Sequence, residues 1–501
     1  MLRLLGRLSA LLFAPLRRLT GPLHRRRPAL SDEQEERQTN LPPLPPPWSD
    51  DERWYRGDFP PRENVRIRPL IHGAEYFPDL HRELLSARSR VTIAGWALSP
   101  HFSLLRGDDA QSSTIERVLD EVSSHAEVYV LLWAGAPALF QPNTHSVEQV
   151  RDRLLTVAPR VHCALDRTAP FSHDHHQKAV TVDGRVAYVG GMDISSFQGD
   201  RWDTAHHPIR FGVGWHDIQA RVEGPLIRDV EENFWGRWEG ATGERLQPHD
   251  PIAHSDDGSP AQLVRTIPRD CYPSMAPDGH YGIRHALLAA LGRARSSIYL
   301  ENQYLWAPEV VEALCVAMDR NGPHFRIVVV LPARAYDGRY DNDDHVRHLA
   351  KHDEGRGRFA AYSLYSSGPA ESVGGYRYLP IYVHAKVSIV DDEWFMIGSA
   401  NLNRRGLATD SEIAVHSVDP TTARELRVRL WAEHLGLPES EMAAVSIPEA
   451  VDRLWRERAA EVERGRRESL PGIAHHAHPY ETGGTPAARL MDRFQSATLE
   501  H

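Results

Sequence analysis

The sequence predicts an α/β protein made of two similar sandwich halves. Each half should carry a mostly parallel sheet, and a pseudo-twofold axis should relate the two across one shared active-site cleft. Two observations predict this. Apolar, β-rich runs alternate with helical patterns, the signature of strands crossed over by helices. The alternation also repeats: His384 follows His176 by 208 residues, Gly398 follows Gly190 by 208, and Ala294 follows Ala87 by 207. Length alone suggests about three domains at roughly 150 residues each. The repeat replaces that estimate with halves at 61–250 and 251–440, a leader and linker at 1–60, and a helical segment with a flexible tail at 441–501.

The elements match in order. A-R-S-R-V-T-I-A-G-W-A-L from Ala87 aligns with A-R-S-S-I-Y-L-E-N-Q-Y-L from Ala294. Each is a polar helix end feeding a strand that finishes in a wide, aromatic-containing segment, and these two segments hold Trp96 and Asn302. Helical patterns follow at Ile115 to Val122 and Val310 to Met318, then the strands V-Y-V-L-L-W from Val128 and I-V-V-V-L-P from Ile327. Each half closes with a helical stretch, Pro225 to Trp238 and Thr421 to Leu435.

The chain has only three lysines, Lys178, Lys351 and Lys386, among many arginines. Two of them sit in one pattern, H-Q-K-A-V-T-V-D from His176 to Asp183 and H-A-K-V-S-I-V-D from His384 to Asp391. A compact, rotatable ammonium is retained where a planar fork would not serve. On a strand, His176 and Lys178 share a face, as do His384 and Lys386. After each motif come a turn, a short apolar strand and a glycine bend, G-G-M-D at Gly190 and G-S-A-N at Gly398.

The doubled H-x-K-x-x-x-x-D pattern resembles the phospholipase D superfamily, whose members pair two such motifs in one site. Further segments resemble phospholipase D proper more than other two-motif enzymes: G-G-M-D-I-S, G-D-R-W-D-T, W-H-D, Y-L-E-N-Q-Y-L, and G-S-A-N-L-N-R-R-G with D-S-E-I-A-V. The resemblance covers about Val91 to Leu435. It implies His176 as nucleophile and His384 as acid/base, a symmetry that the residues themselves do not break. It also implies release of a glycerophospholipid head group to give phosphatidic acid, with transfer to an alcohol as a variant. A cardiolipin synthase-like phosphatidyltransferase and a nuclease of the same superfamily remain as alternatives, as does a non-catalytic lipid-binding module.

The chemistry fits that implication. A phosphodiester repels nucleophiles, and two imidazoles, two ammonium groups and nearby donors overcome this without metal or cofactor. Each histidine needs an orienting carboxylate. Glu412 is the candidate in the second half, where superfamily members also place an acid, and Asp217 is its counterpart in the first. Asp183 and Asp391 complete the motifs and are expected to brace the strand turns. Ser399 and Asn401 should offer donors to phosphate, with Asp193 at the matching first-half position; Trp96 and Asn302 complete the expected substrate contacts. A zinc reading of His173, His175 and His176 is disfavoured by the ammonium of Lys178 on the same face. The acidic stretch Asp337 to Asp344 lacks calcium-loop spacing and reads as a solvated loop, and His475, His476 and His478 read as part of a tail.

Net charge of −10 argues against nucleic-acid binding. The expected partner is a phospholipid at a membrane surface, and no obligate protein partner is evident. Three scattered cysteines, Cys163, Cys271 and Cys315, fit reduced thiols and a cytoplasmic setting. Within residues 1–30, leucines gather on one helical face and arginines on the other, the pattern of peripheral membrane attachment; a basic leader without that role is the alternative. L-P-P-L-P-P-P-W from Leu41 reads as a stiff linker.

Overall fold

The computed structural model describes residues 53–483, apart from short stretches at 138–140, 170–172, 198, 200, 210–213, 251–256, 335–338, 370–374 and 472. The amphipathic leader, the proline linker and residues 484–501 lie outside the described residues.

In the first half, β1 (Arg62–Ile71), β2 (Arg90–Gly95), β3 (Glu127–Trp133), β4 (His162–Asp166), β5 (Ala179–Val182), β6 (Val186–Gly190), β7 (Trp215–His216) and β8 (Ile218–Glu223) follow in sequence. All but β7 form a sheet in the order β4-β3-β2-β5-β6-β8-β1. The second half contributes β9 (Ser259–Ile267), β10 (His280–Tyr281), β11 (Ser297–Glu301), β12 (Arg326–Val330), β13 (Phe359–Pro369), β14 (Tyr376–Val383), β15 (Val387–Val390), β16 (Trp394–Gly398), β17 (Glu412–Val418) and β18 (Ala477–Pro479). Its sheet runs β13-β12-β11-β15-β16-β17-β9. The first residues of β1 pair with β9, which joins the two sheets.

The expected parallel character holds over only three strands per half, β2-β3-β4 and β11-β12-β13. The other neighbours within each sheet are antiparallel. Helical crossovers make the parallel part, whereas each motif strand returns through a tight hairpin, and a hairpin can only join antiparallel strands.

Strands buried on both faces explain the unbroken apolar runs. On β3, Val128, Val130 and Leu132 pack under the helices His72–Leu85 and Ile115–Val122, while Tyr129 and Leu131 meet helix Leu226–Thr242 on the opposite face. On β12, Ile327 and Val329 face helices Gly282–Arg293 and Pro308–Arg320, and Val328 and Val330 face helix Pro420–Leu435. One apolar cluster crosses between the halves: it joins Ala187, Val189 and Ile218 to Val387, Ile397 and Trp431. Each such side chain contributes about 1.5–3 kcal/mol on burial, so the halves are packed as one body.

Both motif hairpins turn on residues with positive φ: Asp183 (55°) with Gly184 (61°), and Asp391 (58°) with Asp392 (54°). Two left-handed residues in succession make the type I′ turn that matches strand twist. Glycine suits position 184; at 392 the non-glycine conformation is held by Arg427, whose guanidinium makes a bidentate pair with Asp392 at 2.6 and 2.7 Å. The motif aspartates brace these turns. Asp183 accepts the backbone N–H groups of Arg88, Ser89 and Arg90, and Asp391 accepts those of Arg295, Ser296 and Ser297. Five residues of strand put each about 17 Å from its motif lysine. Asp391→Ala therefore strands three donors and should cost about 2–3 kcal/mol. Activity per folded molecule should stay within about twofold of wild type, as a urea midpoint measured beside specific activity would show.

Two tail-end expectations are corrected. His475, His476 and His478 are buried: β18 pairs with β13, and the His476 ring lies 3.1 Å from the Tyr365 carbonyl. The sheet edge needed a partner, and this segment supplies it. Of the acidic stretch, residues 337 and 338 lie outside the described residues. The remainder belongs to helix Arg339–Asp353 rather than a solvated loop; Asn342 and Asp343 are fully buried, and Asn342 accepts the Leu305 N–H at 2.7 Å. Cys163, Cys271 and Cys315 form no disulfide with one another. Among the described residues, no helix is long and apolar enough to cross a membrane.

Candidate active site

The two motifs enter the site by a reciprocal exchange between halves. His175 bridges Ser411, and the His176 N–H donates to the Ser411 carbonyl at 2.9 Å. In the other half, β14 pairs with β7, and the His384 N–H donates to the His216 carbonyl at 2.8 Å. Each motif histidine thus lies beside the residue that immediately precedes the opposite half's carboxylate. His176 Nδ1 is 2.9 Å from Glu412 Oε1, and His384 Nδ1 is 2.7 Å from Asp217 Oδ2. The sequence expectation paired each histidine with the acid of its own half, and this is corrected: the carboxylates are exchanged. Spacing along the chain suggested the local pairing, but the backbone pairing between halves decides it.

Both ammonium groups are buried. Lys178 Nζ donates to the His176 carbonyl at 2.9 Å, lies 3.2 Å from Asp193 Oδ2, and sits 5.7 Å from the Trp96 ring centroid. Lys386 Nζ donates to the His384 carbonyl. Three expected substrate contacts are otherwise engaged. Asp193 also accepts the Trp96 N–H at 2.9 Å, so its carboxylate anchors Lys178 and a strand end. The Ser399 hydroxyl donates to Glu412 and accepts the Ile413 N–H at 3.0 Å, which makes it a support for that carboxylate. Asn302 ties together the loops at Tyr304, Ala400 and Leu402. The cause is common to all three: a buried polar group needs partners, and the turns beside the motifs supply them. Asn401, by contrast, keeps its buried Oδ1 without a hydrogen-bond partner.

Trp96 stands beside the first histidine, 6.0 Å between centroids and edge-on, with its Nε1 donating to Asp174 at 3.2 Å. Trp215 packs against His384 at 4.5 Å, and Arg201 lies over the Trp215 ring at 4.1 Å. Arg201 and Arg405 are site residues that the sequence reading missed. Arg405 pairs with Asp174 and Asp410 beside the first motif. Arg201 belongs to the G-D-R-W-D-T segment, which makes the His176-to-Asp217 interval 13 residues longer than that from His384 to Glu412; that insertion was the available signal. His175 is committed elsewhere, between Asp166, Thr168 and Ser411.

Burial, followed by Lys178 and Lys386, pushes His176 well below its ordinary range. Burial, followed by Lys386 and Arg201, does the same to His384. Burial lowers Lys386 to about 7 against the pull of Asp217, and raises Asp217 to about 6 against Lys386. Each histidine therefore feels the lysines of both motifs, as one shared site requires. An anion entering this site favours the charged form of Lys386. Phosphate binding should take up protons, and affinity should weaken as pH rises through about 7. Calorimetry in buffers of different ionisation enthalpy measures that uptake; binding without it would contradict the assignment.

Two mirrored histidine–carboxylate pairs with two buried ammonium groups define a two-motif phosphodiester-processing site on a duplicated α/β scaffold. The chain is similar to members of the phospholipase D superfamily over most of its length. A family model described as "Cardiolipin synthase, PLD-like domain" matches residues 287–433, around the second motif. Phospholipase D alpha 1 of Vigna unguiculata is 25% identical over alignments covering 80% of this chain and 70% of the relative. Phospholipase D alpha 2 of Arabidopsis thaliana gives the same identity and coverage. The phosphatidylserine synthase of Haemophilus influenzae shares the fold, with a TM-score of 0.51 at 13% identity, covering 82% of this chain and 97% of that one.

Proposed function

We propose that the chain is a phospholipase D-type phosphodiesterase that acts on glycerophospholipids. The observation that carries this is the exchange of carboxylates, which holds both imidazoles by Nδ1 and leaves each Nε2 for chemistry. His176 Nε2 attacks phosphorus and the P–O bond to the head group breaks. The departing alkoxide takes a proton from His384, whose charged form the negative phosphodiester favours on entering the site, leaving a phosphatidyl group on His176. His384, now neutral, takes a proton from water; the resulting oxygen attacks phosphorus and frees His176 with phosphatidic acid. Lys178 and Lys386 neutralise the non-bridging oxygens throughout, and such preorganised charge is usually the largest catalytic contribution. Asn401 and Trp96 are proposed substrate contacts.

A second reading, phosphatidyl transfer to an alcohol, is favoured by the family model's description. Only the acceptor differs. Incubation with phosphatidylcholine and phosphatidylglycerol, with and without ethanol, decides between them: phosphatidic acid supports hydrolysis, and phosphatidylethanol or cardiolipin supports transfer. No product from either lipid would overturn the proposal. The proposed setting is the cytoplasmic side of a membrane surface, with residues 1–30 as the peripheral contact. Arginines near an anionic bilayer contribute about 1 kcal/mol each, an attraction that fades with salt.

A further inference from the structure

The duplication makes the two motif histidines near equivalents. Each imidazole has a carboxylate from the opposite half, a motif lysine on its own carbonyl and a tryptophan alongside. Nothing in that shared set makes one histidine carry phosphorus and the other carry the proton. The departure from symmetry is the longer segment of the first half between β6 and β7, which contains Arg201.

The backbone of that segment is fixed against helix His72–Leu85. The Ala74 N–H donates to the Asp203 carbonyl at 3.0 Å, and Gly73 leaves room for the Arg201 carbonyl, which a Cβ there would overlap. The Arg201 side chain then runs inward and is buried. Its Nη2 donates to the Phe197 carbonyl at 3.4 Å. Its Cζ lies 4.1 Å from the Trp215 ring centroid, and Trp215 lies 4.5 Å from His384, so the guanidinium is within about 9 Å of that imidazole. A guanidinium stacks on an indole face and keeps its charge when buried. The charged or titratable groups that face His384 are Asp217, Lys386, Arg201, Lys178 and His176. Burial depresses both histidines first. Lys386 and Arg201 follow at His384, whereas at His176 both lysines and Arg405 come before Arg201.

The two roles respond differently to a fixed cation. An imidazole that holds phosphorus on Nε2 and donates from Nδ1 is an imidazolium, which positive charge alongside opposes. An imidazole that shuttles a proton must give it up to the alkoxide and be neutral again for water, which positive charge alongside assists. We propose that Arg201, stacked on Trp215, is the positioning residue that makes His384 the proton carrier of the pair and leaves phosphorus to His176. It acts across the Trp215 ring and through its field. This inference rests on the phosphodiesterase reading and adds to it the element that breaks the symmetry of the site.

The test is the pH profile of kcat for the full chain on a soluble p-nitrophenyl phosphodiester. That leaving group needs little acid help, so kcat follows hydrolysis of the phosphohistidine and rises with pH as His384 becomes neutral. Arg201→Gln keeps a planar amide for the Trp215 face and a donor for the Phe197 carbonyl but removes the charge. Without the cation His384 protonates more readily, so the rising limb should move to higher pH by about one unit, the effect of a unit charge at this distance. On the acid side of the limb kcat should fall about tenfold. Arg201→Lys restores a charge and should return the limb to its wild-type place. A merely structural role would lower kcat at every pH and leave the limb where it is. Arg201→Met supplies the same reading if Arg201→Gln does not fold. A limb unmoved in the neutral variant, or moved equally in Arg201→Lys, would overturn this inference alone. Failure of the wild type to turn over either the soluble diester or phosphatidylcholine would overturn the phosphodiesterase reading and this inference with it.

Discussion

His176→Ala and His384→Ala should each lower turnover on the order of 10⁴-fold or more, and the double variant should fall within about tenfold of the worse single one. Groups that act as one unit lose nearly everything when either is removed, so their losses do not multiply. The geometry gives the reason. The two imidazoles draw their carboxylates from opposite halves, and each lies in the electrostatic field of both lysines. Neither half holds a working histidine alone. Multiplying losses, measured as kcat on a soluble phosphodiester, would mean two separate sites.

Lys178→Arg and Lys386→Arg should each cost about 100-fold or more in kcat although charge is kept. The side chain of Lys178 is 2% exposed, wedged between the His176 carbonyl, Asp193 and the Trp96 ring, and that of Lys386 is 5% exposed. A planar fork has no room there without displacing a neighbour. Overpacking costs typically 1–3 kcal/mol, and a shifted cation no longer meets the equatorial oxygens. Circular dichroism separates lost folding from lost chemistry. Near-wild-type kcat in both variants would refute the steric argument.

Much of this site was legible in the sequence because its parts are local. A histidine and lysine two apart on a strand, repeated 208 residues later, need only strand periodicity to share a face. The aspartate turns were readable on the same ground. What stayed hidden depends on where separate segments meet. Glu412 lies 28 residues after His384, a spacing that invites the local pairing, and only the bridge between His175 and Ser411 reveals that it serves His176. Ser399 was read as a phosphate donor because spacing cannot show that its proton goes to Glu412. Asp193 and Asn302 were read as substrate contacts because spacing cannot show that Asp193 holds Lys178 and the Trp96 N–H, or that Asn302 reaches Ala400 and Leu402. The parallel share of the sheets was overestimated because a strand followed by a hairpin and one followed by a crossover have the same apolar pattern.

In the proposed reaction His176, held by Glu412, carries the phosphoryl group, and His384, held by Asp217, moves the proton. A soluble phosphodiester with a p-nitrophenyl leaving group separates the roles, since that group departs with little acid assistance while hydrolysis of the intermediate still needs a base. Rapid quenching followed by peptide mass spectrometry should find Asp217→Asn trapped as a near-stoichiometric phosphohistidine at position 176, after a burst of nitrophenol. Glu412→Gln should give neither burst nor adduct. An adduct on His384, or a burst in Glu412→Gln but not in Asp217→Asn, would contradict the exchanged pairing and its assignment of roles.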